Sequence, residues 1–249
     1  MPFIESGSLR IHYEDIGEGT PVLLLGGTIG TIQSDFTKQL DGFGRGVRVI
    51  APERRGYGQT RPPERDYPET FYQRDADDMA AFLNALDVET ADVLGWSEGA
   101  DVALCLGVKY PDKVSRMVIW GGLSRVTDED IAIFEARRDV TKWPQKVRDA
   151  LTVAYGESYW KTTWWKWCDV MLQLHAKGGD VNLPELEKLN CPTLIVHGAK
   201  DPLVRTIHAL TLHDRINRSV LHMFDDSGHN PHITHAAEFN QLVIDFMGF

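Results

Sequence analysis

The sequence is short of cysteine, of positive charge and of long apolar runs, and each shortage excludes a class of protein. Its three cysteines, Cys105, Cys168 and Cys191, are odd in number and form no CxxC pair. A disulfide framework or a structural zinc site would need paired cysteines at regular spacing, so both are disfavoured. Spare thiols of this kind are typical of a reducing, cytosol-like compartment.

Acidic residues outnumber basic ones, 36 against 26, which gives a formal net charge of −10. This balance argues against nucleic acid as a partner. No apolar run approaches the roughly 20 residues that a membrane-spanning helix needs, so no membrane partner is expected. The first residues, MPFIESGSLRIHYED, have neither the basic start nor the apolar stretch of a secretory signal. We therefore expect a cytoplasmic protein, or a mitochondrial one if a transit peptide has been removed.

Short apolar runs alternate with helical patterns along the 249 residues, a length that suits one domain with an insertion. Buried strands are predicted at PVLLLGG, VRVIAPE, ADVLGW, VSRMVIWGG, CPTLIVHGA and SVLHMFDD. Helical spacing of apolar residues predicts helices over 69–86, 99–110 and 233–247. FIES and LRIHYEDIG flank Gly7-Ser8 and predict an antiparallel hairpin. The order indicates an α/β fold with a mostly parallel central sheet.

The segment 124–189 breaks this alternation, because its pattern is helical and interrupted. We predict that it forms a helical cap (lid) inserted between two strands of a core that comprises residues 1–123 and 190–249. Five of the seven tryptophans fall in this segment, namely Trp143, Trp160, Trp164, Trp165 and Trp167. They either pack the helices of the cap together or line a ligand pocket, and both interpretations can hold for different tryptophans.

The stretch LGWSEGA contains the pattern G-x-S-x-G directly after the apolar run ADVLGW and before a helical pattern. Between a strand and a helix this pattern makes a tight turn that presents the serine hydroxyl, and the glycines avoid collisions with neighbouring backbone. A serine hydroxyl becomes an effective nucleophile only when a base removes its proton. We therefore predict Ser97 as a nucleophile that needs a histidine.

His229 is the best candidate for that base among nine histidines. It alone follows the last predicted strand in a loop, GHNPH, and this loop lies at the same edge of the sheet as Ser97. The acid that orients the base is predicted to be Asp201, in a loop after TLIVHG. Asp225 and Asp226 are the competing acids, but they stand too near His229 in the chain to aim at its ring.

Two backbone N–H groups are predicted to form an oxyanion hole, which stabilises the charge that develops on the substrate oxygen. One belongs to Glu98, at the start of the helix after the nucleophile. The other belongs to the GGTIG loop, with Thr28 preferred and Ile29 next. A phosphate-binding role for this loop is an alternative, although GGTIG lacks the lysine of a P-loop and the full dinucleotide fingerprint.

The sequence resembles, nearly from end to end, the valacyclovir hydrolase (biphenyl hydrolase-like) family of serine α/β-hydrolases. The segments that carry the resemblance include LRIHYEDIGEG, RGYGQTRPPERDYP, LGWSEGA, KYPDKVSRMVIWGG, RDVTKWP, CPTLIVHGAKDPLV and GHNPH. The resemblance implies an α/β-hydrolase fold, hydrolysis of α-amino acid esters, including ester prodrugs and thiolactones, and neither a metal nor an organic cofactor.

The resemblance also bears on the carboxylate beside the nucleophile. In this family an aspartate follows the serine and receives the α-ammonium group of the substrate, and Glu98 occupies that position here. Glu98 is therefore expected to bind the substrate ammonium, although its side chain is one methylene longer than that of aspartate. The alternative is that the Glu98 carboxylate points away into a structural salt bridge and only its N–H takes part.

We therefore predict a carboxylic ester hydrolase for small-molecule substrates that acts as a monomer or a weak homo-oligomer. Two rival functions remain open at this point. One is a carbon–carbon bond hydrolase of ring-fission products, which uses the same serine, histidine and acid; the carboxylate of Glu98 argues against it because such substrates are anionic. The other is a binding protein or receptor of the same fold with little turnover.

Overall fold

The computed structural model of the protein describes residues 2–181 and 183–249. The strands are β1 Phe3–Ser6, β2 Leu9–Gly17, β3 Gly19–Leu25, β4 Gly46–Pro52, β5 Ala91–Trp96, β6 Val114–Trp120, β7 Thr193–Gly198 and β8 Ser219–Phe224. The α-helices are α1 Ile32–Asp35, α2 Phe71–Ala85, α3 Glu98–Lys109, α4 Asp128–Arg138, α5 Gln145–Tyr155, α6 Glu157–Ala176, α7 Thr206–Arg215, α8 Pro231–Thr234 and α9 Ala236–Met247. Short 3-10 helices span Pro111–Lys113, Val140–Lys142 and Leu183–Lys188.

The described strands form one eight-stranded sheet in the order β1-β2-β4-β3-β5-β6-β7-β8. β2 is antiparallel to both β1 and β4, and every pair from β4 to β8 is parallel. The predicted fold class, a mostly parallel sheet with an antiparallel N-terminal hairpin, is confirmed. Each predicted strand is present, because a buried parallel strand leaves a continuous apolar run in the sequence.

The apolar side chains of the parallel strands alternate between two cores, one on each face of the sheet. Leu23, Val93 and Ile119 belong to the core that α2 and α3 cover. Val22, Leu94 and Val118 belong to the core on the other face, together with the apolar residues of α9. Helices therefore cover both faces, and the edge where the strands end in loops is the usual place for a ligand site in such a sheet.

The predicted helix over 233–247 is two helices in the structure, α8 and α9, with His235 between them at φ −125°. Pro231 is the first residue of α8, a position where its missing N–H costs nothing. The apolar pattern predicted the buried face of α9 correctly. It did not reveal the break, because His235 keeps the helical spacing of its neighbours.

The chain between β6 and β7 contains helices and turns but no strand in the residues that the structure describes, as the sequence pattern predicted. The capping box of Thr127 and Asp130 begins α4, and Gly156 at φ +78° separates α5 from α6. The predicted boundaries of the cap, 124–189, stay a prediction. Among the described residues, 2–181 and 183–249, no helix has the length and apolar character needed to cross a bilayer.

The tryptophans of this helical segment pack against one another. The Trp164 ring stacks on Trp167 with centroids 5.0 Å apart and meets Trp143 edge-on at 4.9 Å. Trp160 is fully buried, whereas Trp165 is 41% exposed. These contacts support the packing interpretation, and the aromatic wall of a ligand pocket stays a prediction.

Candidate active site

Ser97 occupies a sharp turn between β5 and α3. Its backbone has φ 54° and ψ −124°, a conformation that is strained for a residue with a side chain. Such strain costs about 1–3 kcal/mol and is maintained only where the surroundings impose it. The Ser97 N–H donates to the carbonyl of Trp120 at 2.8 Å, which fixes the turn to the end of β6. The side chain is thereby presented at the edge where the strands end.

The two glycines of G-x-S-x-G are required by close backbone contacts. A Cβ atom on Gly95 would lie 2.5 Å from the carbonyl oxygen of Gly99. A Cβ atom on Gly99 would lie 2.1 Å from the carbonyl oxygen of Leu25, at the end of β3. The first turn of α3 therefore packs directly against the loop that follows β3, where the second oxyanion donor was predicted.

His229 and Asp201 form a buried pair in the loops after β8 and β7. Nδ1 of His229 lies 2.7 Å from Oδ2 of Asp201. The other carboxylate oxygen of Asp201 accepts the N–H groups of Leu203 at 2.8 Å and Val204 at 3.0 Å. Burial raises the pKa of Asp201, but these hydrogen bonds and the His229 ring lower it by more. The pKa of Asp201 is therefore below its ordinary value. Asp201 is thus held as a carboxylate that aims at the ring.

The His229 loop is fastened to the ends of β5 and β6, next to Ser97. The indole N–H of Trp96, the residue before Ser97, donates to the His229 carbonyl at 3.1 Å. The ring of His229 packs on Gly121, where an added Cβ would lie 2.7 Å from its Cε1. Trp96 and Trp120 are register partners in β5 and β6, so these contacts bring the His229 ring and the Ser97 turn to one place.

The competing acids do not share this environment. Asp225 and Asp226 are exposed, and Asp226 pairs with the half-buried His235 at 3.1 Å. Asp201 is therefore the acid that the structure brings to His229. The pairing agrees with the prediction from chain order, while the catalytic roles themselves belong to the proposal below.

A second arrangement of serine, histidine and aspartate lies elsewhere in the structure. His208 Nδ1 is 3.1 Å from the Ser124 hydroxyl, and His208 Nε2 is 3.0 Å from Asp130. All three side chains are buried, and the ring nitrogens are used in the opposite sense from His229, whose Nδ1 faces the acid. This group joins α4, α7 and the loop after β6. Its burial leaves no route for a substrate.

The predicted oxyanion donors belong to the first residue of α3 and to the loop after β3, which packs against Ser97 at Gly27. The N–H of Glu98 is the first of α3, and a first-turn N–H has no acceptor within its own helix. Thr28 lies in the loop after β3, in a turn in which the Gly30 N–H donates to the Gly27 carbonyl at 3.4 Å. Ile29 has φ +52°, so this loop is strained like the nucleophile turn.

The Glu98 side chain lies in a buried cluster of charges. Its Oε1 accepts hydrogen bonds from Arg54 at 2.8 Å, Arg65 at 3.2 Å and Tyr57 at 2.9 Å. Both guanidinium groups also pair with Asp75, and the four charged side chains are almost without exposed surface. Two buried positive and two buried negative charges cancel here, and the partly exposed Arg74 also approaches Asp75, at 3.7 Å.

This cluster corresponds to the structural salt bridge that the sequence left open as the alternative for Glu98. Burial opposes ionisation of Glu98, but Arg54 and Arg65 outweigh it and lower the pKa of its carboxyl group. The remaining oxygen, Oε2, accepts one hydrogen bond, from the Thr28 hydroxyl at 3.2 Å. The Glu98 carboxylate is therefore not free to bind an ammonium group directly. If Glu98 takes part in binding one, Oε2 is the oxygen that does so.

Sequence analysis gave no role to Asp35, which holds the loop of Thr28 from behind. Its Oδ2 accepts the Gly27 N–H at 3.0 Å, and the Ser34 hydroxyl donates to its Oδ1 at 2.6 Å. Burial raises the pKa of Asp35 to about 6, although these two hydrogen bonds lower it.

The sequence pattern also did not indicate a role for Arg54 or Arg65. The one signal for Arg54 is its position two residues after β4, at the edge where the site lies.

Comparison with known proteins agrees with this geometry. A model of the alpha/beta hydrolase family matches residues 22–242. The chain belongs to the alpha/beta hydrolase family. The hydrolase is 42% identical over 242 residues to human "Serine hydrolase BPHL", which covers 96% of this chain and 83% of the human protein. The resemblance to the biphenyl hydrolase-like family is therefore confirmed.

Other relatives of the hydrolase carry different names. It is 29% identical over 273 residues to "2-hydroxymuconate semialdehyde hydrolase" of Pseudomonas sp. (strain CF600), covering 98% of this chain and 92% of that protein. Among solved structures, the meta-cleavage product hydrolase of Pseudomonas fluorescens IP01 superimposes with a TM-score of 0.84. That match has 24% identity and covers 100% of this chain and 97% of the other, and it supports the fold alone.

Proposed function

We propose that this hydrolase cleaves carboxylic esters through an acyl-enzyme formed on Ser97, with His229 as the base and Asp201 as the residue that orients it. One observation carries the proposal. A serine held at positive φ stands at the same sheet edge as a histidine whose Nδ1 is bonded to a buried carboxylate. The bond at Nδ1 leaves Nε2 as the ring atom for the serine proton.

In the proposed acylation step, the Ser97 oxygen attacks the ester carbonyl carbon while its proton passes to Nε2 of His229. The carbonyl oxygen becomes an oxyanion that accepts hydrogen bonds from the N–H groups of Glu98 and Thr28. Collapse of this intermediate breaks the bond to the leaving oxygen, to which His229 returns the proton. The alcohol departs and the acyl group remains on Ser97.

Deacylation repeats these steps with water as the nucleophile. His229 takes a proton from the water as it attacks the acyl carbon, and the same N–H groups hold the second oxyanion. Return of the proton to Ser97 releases the carboxylic acid and restores the enzyme. Asp201 stays ionised throughout and stabilises the imidazolium that forms in each step.

α-Amino acid esters are the substrate class that we propose, on the resemblance to the biphenyl hydrolase-like family and on the contact between Thr28 and Glu98. The Thr28 hydroxyl donates to Oε2 of Glu98, so the lone pairs of its oxygen are left for another donor. Thr28 is half-buried whereas the Glu98 side chain is enclosed. An α-ammonium group would therefore donate to the Thr28 oxygen, with the carboxylate of Glu98 behind it.

Carbon–carbon bond hydrolysis is the second candidate, because one relative is named for such a substrate, 2-hydroxymuconate semialdehyde. The sequence argument against it relied on a free negative charge at Glu98. Arg54 and Arg65 neutralise that charge, so Glu98 does not disfavour an anionic substrate. The choice between an ester and a ring-fission product therefore rests on assay.

The decisive assay is a matched panel on the wild-type protein, read as kcat/KM. It contains esters with and without the α-amine on the same acyl chain, and a ring-fission product with a vinylogous diketone. We expect amino esters to exceed their des-amino partners at least tenfold. Equal values would refute the amine preference, and cleavage of the ring-fission product alone would establish the second candidate. Covalent trapping of one acyl group without turnover would indicate a receptor.

Recognition of the ammonium group by the Thr28 hydroxyl can be tested separately, because a side-chain change leaves the Thr28 N–H in place. Thr28→Val should lower kcat/KM for amino esters about 10–150-fold, since one charge-assisted hydrogen bond is lost, typically about 1.5–3 kcal/mol. Des-amino esters should change less than twofold, and Thr28→Ser should restore the amino ester rate. An equal loss on both ester series would show that the hydroxyl does not recognise the amine.

A further inference from the structure

Several hydrogen bonds hold the loop between Gly26 and Gly30, which follows β3. Arg54 donates to the carbonyl oxygens of Gly26 at 2.9 Å and Gly27 at 3.1 Å. Asp35 accepts the Gly27 N–H at 3.0 Å. These contacts come from the core and hold the start of the loop, whereas the carbonyl at its far end, that of Gly30, bonds to another element.

That element is the helical segment between β6 and β7. Tyr155 is the last residue of α5, and its hydroxyl donates to the carbonyl of Gly30 at 2.6 Å. The same hydroxyl accepts the N–H of Gly58 at 3.0 Å. Because an N–H already points at the phenol oxygen, the phenol proton is directed to Gly30. Burial raises the pKa of Tyr155 well above its ordinary value, so the phenol stays a donor.

We propose that Tyr155 is a positioning residue, which couples the helical segment to the oxyanion hole by fixing the Gly30 end of the Thr28 loop. This inference rests on the proposed function, since it assigns the Thr28 N–H to the oxyanion. The loop has a strained residue, Ile29 at φ +52°, directly before Gly30. A strained turn relaxes when one of its anchors is removed, and the Thr28 N–H turns away from the position of the oxyanion.

Tyr159 of α6 provides a matched control. Its ring stacks on that of Tyr155 with centroids 5.9 Å apart and an interplanar angle of 8°. Its hydroxyl also donates to a glycine carbonyl, Gly56 at 2.7 Å, and accepts a backbone N–H, that of Arg65 at 2.8 Å. Either change to phenylalanine keeps the ring stack and leaves one carbonyl and one N–H unpaired. Only the Tyr155 change touches the Thr28 loop.

The experiment compares Tyr155→Phe with Tyr159→Phe by ester kinetics, by thermal melting and by affinity for a trifluoromethyl ketone, which forms a tetrahedral oxyanion adduct on a serine. We expect both variants to lose a similar few degrees of Tm. Tyr155→Phe should lower kcat about 10–100-fold with KM within twofold. An oxyanion donor typically raises kcat by a factor of about 10²–10³, and a misplaced donor loses part of that factor. The affinity of Tyr155→Phe for the ketone should fall by the same factor as its kcat.

Tyr159→Phe should keep kcat and ketone affinity within threefold of the wild type. Equal losses in the two variants, or a lower kcat in Tyr155→Phe with unchanged ketone affinity, would overturn the assignment of Tyr155. Failure of the proposed function gives a different result. In that case the wild-type protein binds no ketone, or Ser97→Ala still hydrolyses the ester.

Discussion

Asp201 and His229 are joined by a hydrogen bond of 2.7 Å between Oδ2 and Nδ1, and this bond leaves Nε2 as the ring nitrogen without a carboxylate partner. The carboxylate cannot rotate freely, because its other oxygen holds the N–H groups of Leu203 and Val204. The proton of the imidazole is therefore kept on Nδ1. Nε2 is therefore the ring atom that the proposed general base would use.

Asp201→Asn is predicted to lower kcat about 10⁴-fold with little change in fold, because an asparagine amide donates to Nδ1 and moves the ring proton to Nε2. Steady-state ester hydrolysis measures the loss, and circular dichroism checks the fold. Asp226→Asn is the control, since Asp226 is exposed and pairs with His235. A comparable loss in both variants would remove Asp201 from the proposed mechanism.

Ser97→Ala is predicted to lower ester hydrolysis about 10⁴-fold or more, since the hydroxyl that would take the acyl group is removed. Alanine accepts the same positive φ as poorly as serine does, so the Tm should stay close to that of the wild type. Ser124→Ala, in the buried serine–histidine–aspartate group, should keep full activity. A fluorophosphonate should add its mass to Ser97 alone, and activity of Ser97→Ala within tenfold of wild type would refute the nucleophile.

Glu98→Gln is predicted to destabilise the protein by about 3–5 kcal/mol, because it leaves two buried guanidinium groups facing the single carboxylate of Asp75. Urea unfolding at pH 7 measures the change. Arg65→Met combined with Glu98→Gln restores the balance of charge, so the double variant should lose less than the sum of the two single losses. Strict additivity would mean that the cluster is not coupled.

Asp35→Asn is predicted to flatten the dependence of stability on pH. Burial raises the Asp35 pKa from 3.8 to about 6 in the folded protein, so the folded chain keeps its proton over a range where the unfolded chain has lost it. The wild type therefore loses stability as the pH rises from about 4 to 7, by up to about 3 kcal/mol at about 1.4 kcal/mol per pKa unit. The variant lacks this loss.

Urea unfolding of Asp35→Asn and wild type at pH 4, 5.5 and 7 tests this expectation. The asparagine keeps an acceptor for the Gly27 N–H, which limits other effects of the change. The free energy of unfolding of the variant relative to wild type should rise with pH. Parallel curves would show that Asp35 ionises as readily in the folded chain as in the unfolded one.

The parts of the structure that the sequence predicted have local causes. ADVLGW is a strand over Ala91–Trp96, as its apolar run indicated, and G-x-S-x-G gives the sharp turn because Gly95 and Gly99 meet backbone on both sides. The loops of Asp201 and His229 meet because parallel strands end at the same edge of a sheet. Such signals lie within a few residues of one another, so the pattern alone reveals them.

The parts that the sequence did not predict depend on contacts between distant segments. Arg54 and Glu98 are 44 residues apart, and nothing near either of them in the sequence indicates that they pair. Tyr155 reaches Gly30 across 125 residues. The choice between an ammonium receptor and a salt bridge at Glu98 likewise depended on which charges the fold buries beside it, and no spacing in the chain carries that information.

Glu98 stands where a carboxylate would repel the charge that acyl transfer creates, yet its two arginine partners remove that opposition. The start of α3 adds the partial positive charge of its unpaired N–H groups, about half a unit. The carboxylate beside the proposed nucleophile would therefore add little repulsion to the charge that develops on a substrate carbonyl. An acidic residue can therefore directly follow the proposed nucleophile in the chain without opposing its reaction.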